Sequence, residues 1–108
     1  MASGLPVGRF HVVATLVAKG PQEAEELANI LTKVAKRADS EEEPNCFLYR
    51  PVRQIDDPLT FVVFEEYEND EAGSATLVHR QGKDFQELIQ KKDQLFSKFE
   101  VKFFKALL

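Results

Sequence analysis

The chain has a single cysteine, Cys46, and no tryptophan among its 108 residues. One cysteine excludes an internal disulfide and a cysteine-built metal cluster. The two histidines, His11 and His79, have no third ligand at a diagnostic spacing, so no metal site is expected. Positive charge is scarce too. Fourteen Lys and Arg stand against 18 Asp and Glu, for a net charge of −4. Nucleic-acid binders are usually basic, so no nucleic-acid partner is expected. No apolar run approaches the ~20 residues that span a bilayer, and no membrane partner is expected. The opening Met1-Ala-Ser-Gly-Leu-Pro6 lacks the charged and apolar plan of a signal peptide. Together with the lone cysteine this points to a reducing, cytoplasmic setting. The five glycines are scattered, so no phosphate loop is present.

Apolar side chains are abundant, and they occupy both faces of the candidate strands. In Phe10–Ala18 one face carries Phe10, Val12, Ala14, Leu16 and Ala18; the other carries His11, Val13, Thr15 and Val17. In Thr60–Tyr67, Phe61 and Val63 alternate with Val62 and Phe64. A half-solvated sheet shows polar residues at every second position. These strands need cover on both sides.

The order of elements follows from periodicity and punctuation. Residues 1–8 read as a flexible arm, and 9–108 as a single domain. A strand over 9–18 ends at Lys19-Gly20-Pro21, and Pro21 suits the first turn of a helix. That helix runs to about Ala38, with Ala24, Leu27, Leu31, Val34 and Ala35 on one face. Asp39-Ser-Glu-Glu-Glu-Pro44 reads as a solvated acidic loop. A strand over 45–53, a turn at 54–58 and a strand over 60–68 make an antiparallel hairpin. Asn69 or Asp70 is placed to cap a short helical turn. One further helix is expected within 75–99, with Phe85, Leu88, Ile89 and Phe96 buried and a break or kink at Gly82. A last strand covers about 100–106.

The order β-α-β-β-α-β is the split βαβ, or ferredoxin-like, arrangement of an α+β fold. Right-handed crossovers put both helices on one face of the antiparallel sheet. The opposite face is left bare. Each wet Phe, Val or Leu there forgoes about 1.5–3 kcal/mol of burial. Several of them outweigh an association cost of about 4–15 kcal/mol. A two-fold homodimer through the sheet face is the expected assembly.

Several segments resemble the antibiotic biosynthesis monooxygenase domain. They are Asn45-Cys-Phe-Leu-Tyr-Arg50, Asp57-Pro58, Phe61-Val-Val-Phe-Glu-Glu-Tyr-Glu68 and Glu71-Ala72. That family shows a Pro-Gly-Cys segment with a following Tyr, an Asp-Pro turn, a Phe strand ending in Glu-x-Trp, an Ala-His pair, and a Phe six residues beyond the His. Here Asn45 replaces the Gly, Tyr67 stands for the Trp, Val78-His79 stands for the Ala-His pair, and Phe85 keeps the spacing. Asp84 replaces a further His, and extra residues lie around Gly73-Ser74-Ala75. The resemblance spans about 9–105. It implies a dimeric α+β barrel and a repertoire that includes cofactor-free oxygenation of quinols and polycyclic aromatics, haem degradation and isomerisation. The haem-degrading branch uses a Trp, a His on the second helix and an Asn on the first strand. This chain lacks the Trp and that Asn, with His79 near the Trp position and Ile89 near that of the His, so haem degradation is not expected.

His79 is the candidate catalytic residue. Imidazole exchanges protons near neutral pH, and one base at a pocket suffices to deprotonate a phenol or quinol whose anion passes an electron to O₂. The bland alternative is a helix-start histidine that packs or caps. His11, on a strand, reads as an interface or edge residue. Tyr49 and Tyr67 are candidates for substrate binding, or large amphipathic packing groups. Glu65 and Glu66 point to opposite faces. Glu65 is the candidate substrate contact; whichever of the two is buried calls for a partner such as Arg50 or Arg53, in a cross-strand or cross-dimer ion pair. Cys46 reads as a small buried apolar residue. Two functions fit: a small cofactor-independent monooxygenase acting on an aromatic or quinol-like substrate, with no cofactor, or a non-catalytic dimeric barrel that binds a small hydrophobic ligand or serves a stress or assembly role.

Overall fold

The computed structural model describes residues 6–107. Most of the expected arm, residues 1–5, lies outside them. The elements are β1 (Gly8–Ala18), α1 (Pro21–Ala38), β2 (Cys46–Arg53), β3 (Thr60–Asn69), α2 (Ser74–Arg80), α3 (Lys83–Gln90), α4 (Lys92–Leu95) and β4 (Phe96–Phe104). The four strands form one sheet in the order β2-β3-β1-β4. All neighbours are antiparallel. This is the α+β, ferredoxin-like arrangement, with α1 crossing between β1 and β2 and the later helices crossing between β3 and β4.

The alternation in β1 sorts its side chains as expected. Phe10, Val12, Ala14, Leu16 and Ala18 are buried, and His11, Val13, Thr15 and Val17 are half-buried. Helix α1 has Pro21 in its first turn, Glu23 near its start, and Lys36 and Arg37 in its last turn, charges that complement its dipole. It buries Leu27, Ile30, Leu31 and Val34 against Ala14, Leu16, Phe61 and Val63 of the sheet. The helices therefore cover one sheet face only. No helix among the described residues is long and apolar enough to cross a membrane.

Register in β2 is broken by a bulge. Cys46 pairs with Tyr67, but Leu48 pairs with Glu66, so Phe47 is the extra residue. Strict alternation puts residues three apart on opposite faces. The bulge cancels that, and both Cys46 and Tyr49 pack into the helix-side core.

The C-terminal half differs from expectation. The single helix over 75–99 is three short helices, separated at Gln81–Gly82 and at Lys91. Phe96 is not on a helix; it opens β4, buried against the core. Phe96 and Phe99 are three apart, which imitates a helical stripe, but the backbone there is already extended. Phe85 and Ile89 are only half-buried, and Leu88 supplies the buried contact of α3. The short helical turn expected near Glu71-Ala72 is a plain turn, and α2 opens beyond it at Ser74, with Gly73 as its N-cap; Asp70 Oδ1 accepts the Ser74 N–H at 3.0 Å, and Asn69 Oδ1 accepts the Thr76 N–H at 3.2 Å.

On the helix side, Phe99, Val101 and Phe103 of β4 lie opposite Leu16, Ala14 and Val12. They remain 43%, 39% and 49% exposed, so the chain's own helices do not reach over this edge strand.

Candidate functional site

A cavity of about 340 Å³ lies between the sheet and the short helices. Val12, Ala14 and Leu16 form its apolar floor with Val63; Phe85 and Leu88 roof it. Phe99, Val101 and Phe103 line it from β4, where it opens. The polar groups on its walls include His79, Glu65, Tyr49 and Tyr67. The fold thus brings together all four residues singled out in the sequence.

His79 is in the last turn of α2, not at a helix start, and is only 5% exposed. Its ring is enclosed by aromatic rings. The centroids of Tyr49, Tyr67 and Phe85 lie 5.0, 5.4 and 4.9 Å from its own. Its Nδ1 is 2.7 Å from Glu43 Oε1. The other carboxylate oxygen, Oε2, accepts from Arg37 Nη1 at 2.7 Å. The same Arg37 nitrogen donates to Val78 O at 2.9 Å, tying the end of α1 to the end of α2. Among the described residues, His79 Nε2 is buried with no hydrogen-bond partner. Buried polar atoms are satisfied in the large majority of cases, and an exception calls for a cause.

Glu43 corrects the reading of the acidic loop. Glu41 and Glu42 are exposed, as a solvated run requires, but Glu43 is 3% exposed. Three consecutive glutamates carry no local mark that one of them turns inward. Arg37 lies in the last turn of α1, where a cation suits the helix dipole, and its guanidinium also serves the buried carboxylate.

Glu65 has a different partner from the one expected. Tyr67 Oη donates to Glu65 Oε1 at 2.6 Å. Arg53 instead donates to Glu25 at 2.8 Å and to Pro58 O. Glu66, on the outer face, is held by Arg9 at 2.6 Å, and His11 Nδ1 lies 3.8 Å from it. Burial pushes the Glu65 carboxyl above its ordinary range, against the opposing effects of the Tyr67 hydroxyl and His79. Burial also raises the phenols of Tyr67 and Tyr49, with Glu65 adding to both. The Cys46 thiol is pushed up to about 12 by burial and then by Glu43, so it stays protonated and unreactive. No cluster of three or more potential metal ligands occurs among the described residues.

Arranged this way, the site offers an apolar slot with the His79 ring on its helix side and a carboxyl–phenol pair on its sheet side. Such a slot can hold a flat aromatic molecule and take a proton from it.

Comparison with known proteins agrees with this architecture. Among curated proteins none matches the chain significantly. Among solved structures, a protein from Pseudomonas aeruginosa superposes with a TM-score of 0.79 at 20% identity, covering 97% of this chain and all of the other. A Mycobacterium tuberculosis protein gives 0.75 at 19% identity, covering 93% of this chain and 96% of the other. A Caulobacter crescentus protein, described as a candidate antibiotic biosynthesis monooxygenase, gives 0.76 at 21% identity, with 94% and 92% covered. At these identities the likeness speaks for the fold. The family pattern described as antibiotic biosynthesis monooxygenase matches residues 9–91, and on that match the chain belongs to the antibiotic biosynthesis monooxygenase family.

Proposed function

We propose that this protein is a cofactor-independent monooxygenase of an aromatic or quinol-like substrate, with His79 as its general base. The observation that carries the reading is the unpartnered Nε2 of a buried histidine lining an apolar cavity. A substrate hydroxyl supplies the partner this atom lacks. Size is compatible: an engineered apolar cavity of about 150 Å³ holds benzene, and about 340 Å³ accommodates a two- or three-ring aromatic. Tyr49 and Tyr67 flank the ring, and the carboxyl of Glu65 faces a second polar group of the substrate. His79 Nε2 takes the hydroxyl proton. The resulting electron-rich anion passes an electron to O₂, the radical pair combines through a new C–O bond, His79 returns the proton to give a hydroperoxide, and loss of water breaks the O–O bond and the C–H bond of the same carbon to leave a carbonyl.

The apolar walls also suit a non-catalytic ligand-binding barrel. The two readings separate on one experiment. Aerobic turnover of a panel of dihydroquinones under ¹⁸O₂, without added flavin or metal, is measured for the protein and for His79→Ala. The oxygenase reading expects one labelled atom in the product and a rate loss of about 10²–10⁴-fold in the variant, the range general-base catalysis supplies. A rate that does not depend on His79 removes the mechanism.

The assembly that fits is a homodimer through the outer sheet face. Val52, Phe64 and Phe104 are all more than a third exposed on that side, beside half-buried Val13 and Val17. Sedimentation at micromolar concentration is expected to give a dimer, and Phe64→Lys a folded monomer. A monomeric unaltered chain sinks this assembly.

A further inference from the structure

We propose that Glu43 and Arg37 are positioning residues that fix the tautomer of His79, so that the lone pair of the neutral ring sits on Nε2, on the ring edge away from Glu43. The inference rests on the oxygenase reading for its purpose, but its geometry stands apart from it. A carboxylate bonded to a guanidinium has only acceptors to offer. Glu43 Oε1, 2.7 Å from Nδ1, therefore requires a hydrogen on Nδ1. Which imidazole nitrogen carries the proton is set by the bond the other one makes. With Nδ1–H committed to Glu43, a neutral ring has its lone pair on Nε2.

Arg37 makes the arrangement directional. It takes Oε2 at 2.7 Å and anchors itself on Val78 O, one residue before His79. The chain makes room for it. A Cβ on Gly82 would stand 2.8 Å from Arg37 Nη1 and 3.1 Å from Cδ. Gly82 has φ −64°, which any residue adopts, so glycine there answers to the space the guanidinium takes. Three separated positions, 37, 43 and 82, are fitted to hold one ring.

The test follows from donor and acceptor counting. In Glu43→Gln the guanidinium, which only donates, claims the amide oxygen. The amide NH₂ then faces His79 Nδ1, which must accept, and the proton moves to Nε2. In the double variant R37M/E43Q the amide is free to turn, its oxygen returns to Nδ1–H, and Nε2 is bare again. Nitrogen-15 chemical shifts of labelled imidazole distinguish protonated from bare nitrogen without any turnover.

The expected results are a bare Nε2 in the unaltered protein, a protonated Nε2 in E43Q, and a bare Nε2 restored in R37M/E43Q. On the dihydroquinone assay, E43Q loses about 10²–10⁴-fold in rate, the general-base range, and the double variant regains part of it. A purely structural role for Glu43 lowers the melting temperature of both variants without exchanging the tautomer. A protonated Nε2 in the unaltered protein, or an unchanged tautomer in E43Q, overturns the proposal. If the tautomer exchanges as expected and no dihydroquinone is consumed, the relay stands and the oxygenase reading falls.

Discussion

Two glutamates stand near the cavity, Glu43 buried behind His79 and Glu65 half-buried in the wall, and they are held in opposite ways. Glu43 lies between a guanidinium and an imidazole, each bonded to its own carboxylate oxygen at 2.7 Å. Glu65 has a phenol as its hydrogen-bond partner, at 2.6 Å. A buried charge needs a partner of opposite sign, or it neutralises by shifting its pKa. Glu43 has both partners, and burial moves Glu65 toward the second course by raising its carboxyl. The difference teaches what each wall is for. On the Glu43 side a buried carboxylate ties the His79 ring to Arg37. The Glu65 wall carries a carboxyl that burial biases toward its protonated form, beside the cavity.

Breaking the two walls should therefore have unequal effects. The largest belongs to Glu43→Ala, which strands Arg37 and His79 without their common partner. Removing one partner of a buried pair costs about 3–5 kcal/mol. About 3 kcal/mol is expected here, because Arg37 keeps Glu42 at 3.3 Å. A urea unfolding midpoint that hardly moves would deny Glu43 its anchoring role. Next comes Tyr67→Phe, which removes one buried hydrogen bond and should cost about 1 kcal/mol. It also removes an influence that lowers the Glu65 pKa, so the Glu65 titration, followed by carbon-13 NMR, should move to higher pH.

The smallest effect, absent in acid and growing with pH, sharpens the comparison most. The Glu65 carboxyl is raised on folding, so the folded protein binds more protons than the unfolded chain. Its contribution to stability then declines as pH rises from the ordinary value of 4.5 through the raised folded value. Glu65→Gln keeps an acceptor for Tyr67 and has no such dependence. Stability curves for the variant and the unaltered protein should diverge upward through that window, in favour of the variant. Parallel curves would mean that Glu65 is as well paired as Glu43.

The same contrast explains what the sequence reveals. Period-two apolar patterns in β1 and β3, the stripe of α1 and the Pro21 and Pro58 signals make the sheet and its covered face legible, because burial there repeats along the chain. His79, Tyr49, Tyr67 and Glu65 can be singled out as rare or polar groups in apolar settings. Glu43 cannot. It is one of three identical neighbours, and its inward turn is decided by Arg37 and His79, the latter 36 residues away. The bulge at Phe47 is equally silent, although it lets Tyr49 share a face with Cys46. Phe96 misleads for a different reason, since its spacing from Phe99 suits a helix stripe, and the two share a strand face only through the register shift opposite Val17 and Ala18.

The central claim is that His79 takes a proton from an aromatic alcohol bound in the cavity. The most direct measurement is the ultraviolet difference spectrum of a bound naphthol, recorded at a pH where the free naphthol is neutral. The account predicts the naphtholate band in the unaltered protein and its loss in His79→Ala. A bound naphthol that keeps its neutral spectrum, or a naphtholate band that survives in the variant, would contradict it.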